Sequence, residues 1–112
     1  NDELFQTGKV ELSDGGKAAL ASVADAIKAT SPKRIVVEGH TDDTPVKNMS
    51  YADNWEVASA RANEVVRWLA DNKAIAPEKL VSESHAFYAP TVANKDVASR
   101  KQNRRVEIVL EL

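Results

Sequence analysis

The sequence has no cysteine, few glycines, prolines and aromatic residues, and no long apolar segment. Without cysteine, the chain has no disulfide, no thiolate nucleophile and no cysteine-ligated zinc site. Four glycines and four prolines in 112 residues exclude the collagen-like and low-complexity classes. The apolar runs are only a few residues long, which excludes a transmembrane helix, because such a helix needs about 20 mostly apolar residues.

The sequence also lacks an excess of either charge. It contains 15 basic and 17 acidic residues, which is a formal net charge of -2. Nucleic-acid binding without sequence preference depends on an excess of Lys and Arg that neutralises phosphates, so this balance argues against a nucleic-acid partner. Hydrophobic residues make up 43% and charged residues 29%, which is typical of a folded globular domain.

The length of the chain fits one domain. A domain of this size buries about two-thirds of its unfolded surface, which is enough for a hydrophobic core. No internal repeat or low-complexity stretch divides the sequence, so we predict a single domain over residues 1–112. The sequence begins at Asn1 without an initiator Met or a signal peptide, so we expect it to be mature or excised from a longer protein.

Apolar periodicity predicts strands and helices in the first half of the chain. Residues 5–12 alternate between apolar and polar side chains, which is typical of a short strand. Residues 13–30 carry apolar side chains at helical spacing behind Ser13, a good N-cap. Residues 34–39 contain a β-branched run that is apolar on both faces, which indicates a central strand.

A second helix is predicted over residues 53–72. Asp53 followed by Glu56 resembles a capping box at its start. One apolar stripe then follows at helical spacing. Its members are Trp55, Ala58, Ala62, Val65, Val66 and Leu69.

The last part of the chain adds two strands. Residues 80–86 can form a third strand, and residues 106–112 alternate between apolar and polar side chains, which predicts a final strand. Between them, residues 95–104 are polar enough for a short exposed helix or an ordered loop. The order of these elements predicts an α/β domain, a helix-on-sheet sandwich with four strands and two main helices.

The long connection over residues 40–53 is the first candidate for a functional site, since long loops are often functional or mobile. Asp42 follows a predicted strand end, where small-ligand sites of helix-on-sheet folds often lie. Arg61 lies two turns into the second helix and can reach the same loop if that helix packs beside the strand. A carboxylate and a guanidinium in one pocket suit a zwitterion, whose ammonium binds Asp42 and whose carboxylate binds Arg61 in a two-pronged contact.

Simpler interpretations of these residues stay open. Asp42 could form only a turn through local hydrogen bonds, and Arg61 could be an exposed residue paired with Glu64. A basic cluster later in the chain is either a solvated patch balanced by Glu107 and Glu111, or a second wall of the pocket or a contact to an anionic polymer. The cluster consists of Arg100, Lys101, Arg104 and Arg105.

Catalysis and metal binding have weak support in the sequence. The only histidines, His40 and His85, could form a metal site with Asp42 and Asp43, but a ring hydrogen bond that orients the loop is an equally simple role for His40. No Gly-x-Ser-x-Gly motif occurs, and no pair of carboxylates has a catalytic spacing. We therefore predict a protein that is not an enzyme and has no metal or cofactor.

Four separated motifs follow one another along the chain. They are Gly39-His40-Thr41-Asp42, Asn54-Trp55-Glu56, Ala60-Arg61-Ala62 and Asn103-Arg104-Arg105-Val106-Glu107-Ile108, with Pro90, Asn94 and Arg100 before the last. In this order they resemble the OmpA C-terminal-like family of peptidoglycan-binding domains. The Asn-Trp-Glu motif and the loop that contains Pro45 look most like its flagellar motor branch, the MotB-type stator subunits. The resemblance runs from about Phe5 to Leu112.

The resemblance implies a mixed sheet and non-catalytic recognition of the peptidoglycan stem peptide through its diaminopimelate residue. By position, Asp42 matches the family's ammonium-binding aspartate and Arg61 its carboxylate-binding arginine. Thr44, Asn54 and Arg104 fall at positions that often line the same pocket. A periplasmic location in a Gram-negative envelope is also implied, and the stator branch implies a homodimer whose parent protein is anchored in the inner membrane.

The chain departs from the family pattern at three positions. Ser84 and Ala86 stand where the family usually has glycines after the third strand, and Ser99 replaces a glycine that commonly precedes Arg100. These departures affect the nearby loops more than the pair of site residues. A different class of function remains as the alternative, a periplasmic protein-protein interaction domain that binds its partner through residues 40–53 and 95–105.

Overall fold

The computed structural model describes residues 4–6, 9–46 and 50–112. Within these ranges, three α-helices and three strands follow one another. They are helix α1 (Asp14–Thr30), strand β1 (Arg34–His40), helix α2 (Asn54–Lys73), strand β2 (Leu80–Ser84), helix α3 (Val97–Asn103) and strand β3 (Arg105–Glu111). The sheet has the order β2-β1-β3, in which β1 pairs with β2 in parallel and with β3 antiparallel. The expected mixed sheet with a central β1 is therefore confirmed.

Local capping signals set the ends of the two long helices. The Ser13 hydroxyl accepts a hydrogen bond from the Gly16 N–H at 2.9 Å, and the Asp53 carboxylate accepts one from the Glu56 N–H at 3.0 Å. The Glu56 side chain accepts in turn from the N–H of Ala52, one residue before the cap. These bonds satisfy N–H groups that have no partner within the helix, so both helices begin where the sequence predicts.

The hydrophobic core lies between the two long helices and one face of the sheet. Helix α2 packs against β1 and β2, and α1 packs against α2. Ile35 and Val37 of β1 are fully buried among apolar residues of both helices, including Leu20 and Val65. At Gly39 the helix and the strand come so close that a Cβ atom would lie 2.1 Å from the Ala58 carbonyl oxygen.

The predicted first strand is wrong, and the sheet has three strands instead of four. Phe5 and Leu12 form one isolated antiparallel bridge, and Gln6 N–H donates to the Glu11 carbonyl at 2.8 Å. Positions 7 and 8 of this segment lie outside the described residues. Because the segment turns back on itself, it satisfies backbone groups locally and buries Phe5 and Leu12 in the core without joining the sheet.

The count of two main helices is also too low. Residues 95–104, predicted as a short helix or an ordered loop, contain α3, which begins with a complete capping box between Asp96 and Ser99. Asn103 at its end is fully buried, and its side chain accepts from the N–H of Thr91 and donates to the Val92 carbonyl. These bonds hold the connection between β2 and α3 against the helix.

One aromatic residue of the predicted stripe is not in the core. Trp55 is 46% exposed and stacks on Tyr88, with 5.3 Å between the ring centroids. In the final strand, Val106 and Ile108 face the core as their alternation predicts. No helix in the described ranges combines the length and the apolar character needed to cross a bilayer.

Candidate functional site

A cavity of about 540 Å³ lies beside the end of β1. Its wall is formed by the segment before α1, the loop after β1, the first two turns of α2 and the junction between α3 and β3. All five residues that the sequence proposes for the site contribute to this wall: Asp42, Thr44, Asn54, Arg61 and Arg104. Of the predicted loop over residues 40–53, positions 47–49 lie outside the described part of the chain.

Asp42 is held at the bottom of this loop by two contacts within the chain. Its side chain is only 7% exposed. One carboxylate oxygen accepts a hydrogen bond from the Thr44 N–H at 2.8 Å, and the other forms an ion pair with Arg104. The turn-forming interpretation of Asp42 is therefore correct, and it coexists with a position in the cavity wall. A carboxylate has about four lone-pair sites, so these two bonds leave room for further donors.

Arg104, which also lines the cavity, is the ion-pair partner of Asp42. It lies at the boundary between α3 and β3, where its N–H donates to the Arg100 carbonyl at 3.1 Å. Its side chain is 27% exposed. The pair joins the end of β1 to the start of β3, and partial burial makes it stronger than an ordinary surface ion pair.

Arg61 is half-buried on α2 and contacts the segment before α1. Its Nε donates to the Lys9 carbonyl at 3.4 Å, and its guanidinium carbon lies 5.3 Å from the centroid of the Phe5 ring. Glu64, its alternative partner in the sequence, has its carboxylate 4.0 Å from Arg67. Arg61 therefore takes part in the cavity wall and is not simply an exposed helix residue.

Further polar contacts hold the loop after β1 in place. The Asn54 side chain donates to the Thr44 carbonyl at 3.1 Å, which ties the loop to the start of α2. Arg100 donates to Asp43 at 2.9 Å, which ties the same loop to α3. Such contacts position Asp42 before any ligand arrives, which lowers the cost of ordering the site on binding.

The three arginines of the basic cluster form separate ion pairs. Arg100 pairs with Asp43, and Arg104 pairs with Asp42. Arg105 pairs with Glu107, but its side chain is only 13% exposed, so it is not part of a solvated patch. Glu111 pairs with Arg34. Only Arg104 of these residues lines the cavity within the described part of the chain.

Sequence reasoning missed Lys9, Glu11 and Tyr51, which also line the cavity. The first two lie in the segment predicted as a sheet strand, so nothing placed them beside Asp42. Among the described lining residues, the cations are Lys9, Arg61 and Arg104, and the carboxylates are Glu11 and Asp42. A cavity wall that carries both signs of charge is suited to a ligand that carries both.

The two histidines lie outside the cavity wall and do not join Asp42 and Asp43. His40 and His85 stack with their ring centroids 4.8 Å apart, beside Glu38. Burial is the main cause that lowers the pKa of His40, and the positive charge of Arg105 acts in the same direction. The metal arrangement considered from the sequence is therefore not the one that the structure brings together.

Known proteins share this architecture over nearly the whole chain. The model of the OmpA family matches residues 4–104. A putative MotB-like protein from Desulfovibrio vulgaris has a TM-score of 0.89 at 34% identity, over 98% of this chain and 68% of that one. The cell wall anchor of the T6SS from Pseudomonas aeruginosa also has a TM-score of 0.89, at 31% identity, over 98% of this chain and 76% of that one.

A curated relative is Motility protein B of Bacillus subtilis, which is 26% identical over 96% of this chain. The chain spans only part of such proteins, 44% and 41% of the length of two relatives from that organism. The family match covers most of the described fold, including β1, α2 and the loop that carries Asp42. The chain is a member of the OmpA family.

Proposed function

We propose that this chain binds peptidoglycan without catalysing a reaction and anchors a cell-envelope protein to the wall. Two similar proteins have names that describe such a role, the cell wall anchor of the T6SS from Pseudomonas aeruginosa and the Peptidoglycan-associated lipoprotein of the same species. The observation that carries the proposal is the presence of Asp42 and Arg61 in the wall of one cavity.

The proposed ligand is the stem peptide, recognised through the zwitterionic end of diaminopimelate. In this pose its ammonium donates to the Asp42 carboxylate and its carboxylate accepts from Arg61. Arg104 keeps the Asp42 carboxylate oriented and supplies a second cation beside the ligand. Thr44 and Asn54 hold the loop through the hydrogen bond between them.

The expected affinity is modest. Each charge-assisted hydrogen bond contributes about 1.5–3 kcal/mol net, so a few of them correspond to a dissociation constant in the range of about micromolar to millimolar. Such binding is sufficient for an anchor, because two domains of a homodimer on a repetitive polymer gain from effective concentration. The similarity to Motility protein B favours a flagellar stator as the parent protein, with the domain in the periplasm and its anchor in the inner membrane.

The test is a calorimetric titration with a diaminopimelate-containing stem peptide beside a lysine-containing one. Arg61→Ala should weaken binding of the first peptide by at least about tenfold, which is the loss of one charge-assisted contact. Arg67→Ala is the matched control, since Arg67 lies on the same helix with a side chain that is 67% exposed. Equal binding of the two peptides, or unchanged affinity in Arg61→Ala, would contradict the proposed site.

A protein-protein interaction domain is the second candidate. The exposed stack of Trp55 and Tyr88 favours it, because large aromatic side chains are enriched at interfaces. Tyr88→Ala distinguishes the two functions. Two results together would establish the second candidate over the first. Tyr88→Ala would lose an envelope partner while still binding the sacculus, and neither Asp42→Ala nor Arg61→Ala would abolish sacculus binding.

A further inference from the structure

Three carboxylates lie side by side on the face of the sheet that is turned away from the helices. In the strand register, Glu38 of β1 is opposite Glu83 of β2 and also opposite Glu107 of β3. Like charges directly opposite each other on neighbouring strands are destabilising. Arg105 offsets part of this repulsion, because its guanidinium lies 2.8 Å from Glu107.

Both histidines of the chain lie against these carboxylates. His40 follows Glu38 by two residues on the same face of β1, and its Nε2 lies 3.5 Å from the Glu38 carboxylate and 3.2 Å from that of Glu107. His85 follows the end of β2, and its Nε2 lies 3.9 Å from the same Glu38 oxygen and 3.4 Å from Glu83. The two Nε2 atoms therefore converge on one carboxylate.

His40 is the least accessible member of this group. It is only 3% exposed, and neither of its ring nitrogens has a hydrogen-bond partner among the residues that the structure describes. The Nε2 of His85 is also without such a partner. Buried polar atoms are almost always satisfied by a protein group, a water or an ion, so these nitrogens, which lie beside carboxylates, have the capacity to bind a further partner.

We propose that Glu38, His40 and His85 bind a divalent transition-metal ion, with Zn²⁺ as the best fit. One ligand atom from each of the three residues lies within 4.8 Å of the others. A tetrahedral zinc ion with bonds of 2.0–2.1 Å separates its ligand atoms by about 3.3 Å. The distances from the Glu38 carboxylate oxygen to the two histidine Nε2 atoms, 3.5 and 3.9 Å, are close to this separation. The two imidazole rings stack at an interplanar angle of 4°. Because a metal ion lies in the plane of each imidazole that binds it, coordination requires the half-exposed His85 ring to turn out of this stack.

The donor types select the kind of metal. Two imidazoles and a carboxylate suit Zn²⁺ and similar ions, whereas Mg²⁺ and Ca²⁺ prefer sites made of oxygen atoms alone. A divalent cation also relieves the repulsion within the row of glutamates. The carboxylates of Glu83 and Glu107 lie within 3.4 Å of a histidine nitrogen, so either can supply a fourth ligand.

The site is separate from the cavity that holds Asp42, since none of its three residues lines that cavity. The metal site joins the end of β1 to the segment after β2. Its member His40 lies two residues before Asp42 in the sequence. Metal binding therefore stands or falls independently of peptidoglycan binding. A bound metal would add a side-chain link between two chain segments that backbone hydrogen bonds already join, from the His85 N–H to the Gly39 carbonyl at 3.0 Å and from the Thr41 N–H to the Ala86 carbonyl at 2.8 Å.

The experiment is a Zn²⁺ titration of the tag-free chain in competition with a chromogenic chelator. His85→Gln and Glu38→Gln should each weaken binding by at least about tenfold, since even the outer-shell partners of metal ligands contribute about 10- to 100-fold to affinity. His85 is the first position to test because its side chain is 36% exposed, so its replacement leaves the core intact. Glu64→Gln on α2 is the matched control and should not change the affinity.

Co²⁺ gives the second readout. Its visible absorption reports whether nitrogen and oxygen ligands surround the ion tetrahedrally, and this spectrum should be lost in His85→Gln. Mg²⁺ should neither produce binding nor compete. Absence of Zn²⁺ binding to the unmodified chain, or equal affinity in the unmodified chain, His85→Gln and Glu38→Gln, would overturn the proposal and indicate adventitious surface binding only.

Discussion

Replacing Arg104 by Ala removes the ion-pair partner of Asp42 and leaves a carboxylate that is 7% exposed with a single hydrogen bond, from Thr44. Breaking a fully buried ion pair by removing one partner costs about 3–5 kcal/mol. Arg104 is 27% exposed, and water can reach Asp42 once the guanidinium is gone, so the expected loss is smaller. We predict a decrease of about 2 kcal/mol in the free energy of unfolding, within the usual range for a charged hydrogen bond.

Urea unfolding measures this loss. For a small domain with an m value of about 1–3 kcal/mol per M, the midpoint should fall by about 1 M at an unchanged m value. Arg100→Ala is the matched control, because Arg100 lies on α3 about one turn before Arg104 and pairs with the next aspartate, Asp43. Both members of that pair are more than one-third exposed, so its loss should be below about 1 kcal/mol.

A double-mutant cycle with Asp42→Asn tests the cause. If the cost arises from an uncompensated charge, Arg104→Ala should cost much less in the Asp42→Asn background, since the neutral amide needs no cation. Two results would refute the reasoning from burial. One is a loss of unfolding free energy in Arg104→Ala that is no larger than in Arg100→Ala, and the other is an Arg104→Ala loss that is the same in the Asp42→Asn background.

Two further predictions concern stability. Gly39→Ala places a Cβ atom 2.1 Å from the Ala58 carbonyl oxygen, so it should destabilise the domain by at least about 3 kcal/mol, the upper part of the range for overpacking. Gly15→Ala is its control, because the Cβ atom there would lie 4.0 Å from the nearest side-chain atom. This control should preserve or raise the melting temperature measured by circular dichroism, and equal melting temperatures of the Gly39→Ala and Gly15→Ala variants would contradict the prediction. Hydrogen bonds from the Ser99 backbone and side chain lower the pKa of Asp96. The stability that the charged carboxylate contributes is therefore fully present above the ordinary pKa of 3.8, and it is lost as the pH falls through the lowered pKa of the folded state. The difference in melting temperature between Asp96→Ala and the unmodified chain should therefore be present at neutral pH and vanish in strong acid, and a difference that persists there would show that the charged cap is not its cause.

Signals that act over a few residues were sufficient for most of the secondary structure. Ser13 and Asp53 cap the two long helices where the sequence predicts, and the alternating residues of β3 face the core on one side. These signals are reliable because capping and side-chain direction depend on near neighbours in the chain. Alternation over residues 5–12 misled the prediction, since a short turn buries Phe5 and Leu12 just as a strand would.

The position of Trp55 shows a second limit. Helical spacing places it on the same stripe as Ala58 and Leu69, but the first turn of α2 lies at the margin of the core, where Trp55 stacks on Tyr88. Periodicity gives the direction of a side chain on its helix. It does not indicate where the sheet below that helix ends.

Chain order and family motifs were enough to predict that Asp42, Thr44, Asn54, Arg61 and Arg104 could share a pocket, because a strand end, a long loop and a neighbouring helix can be located from local patterns. The partners of these residues depend on the packed molecule. The Asp42–Arg104 pair joins residues far apart in sequence, and so does the approach of His85 to Glu38 and His40. Such contacts arise from strand register and burial, which exist only after the helices and the sheet have packed together.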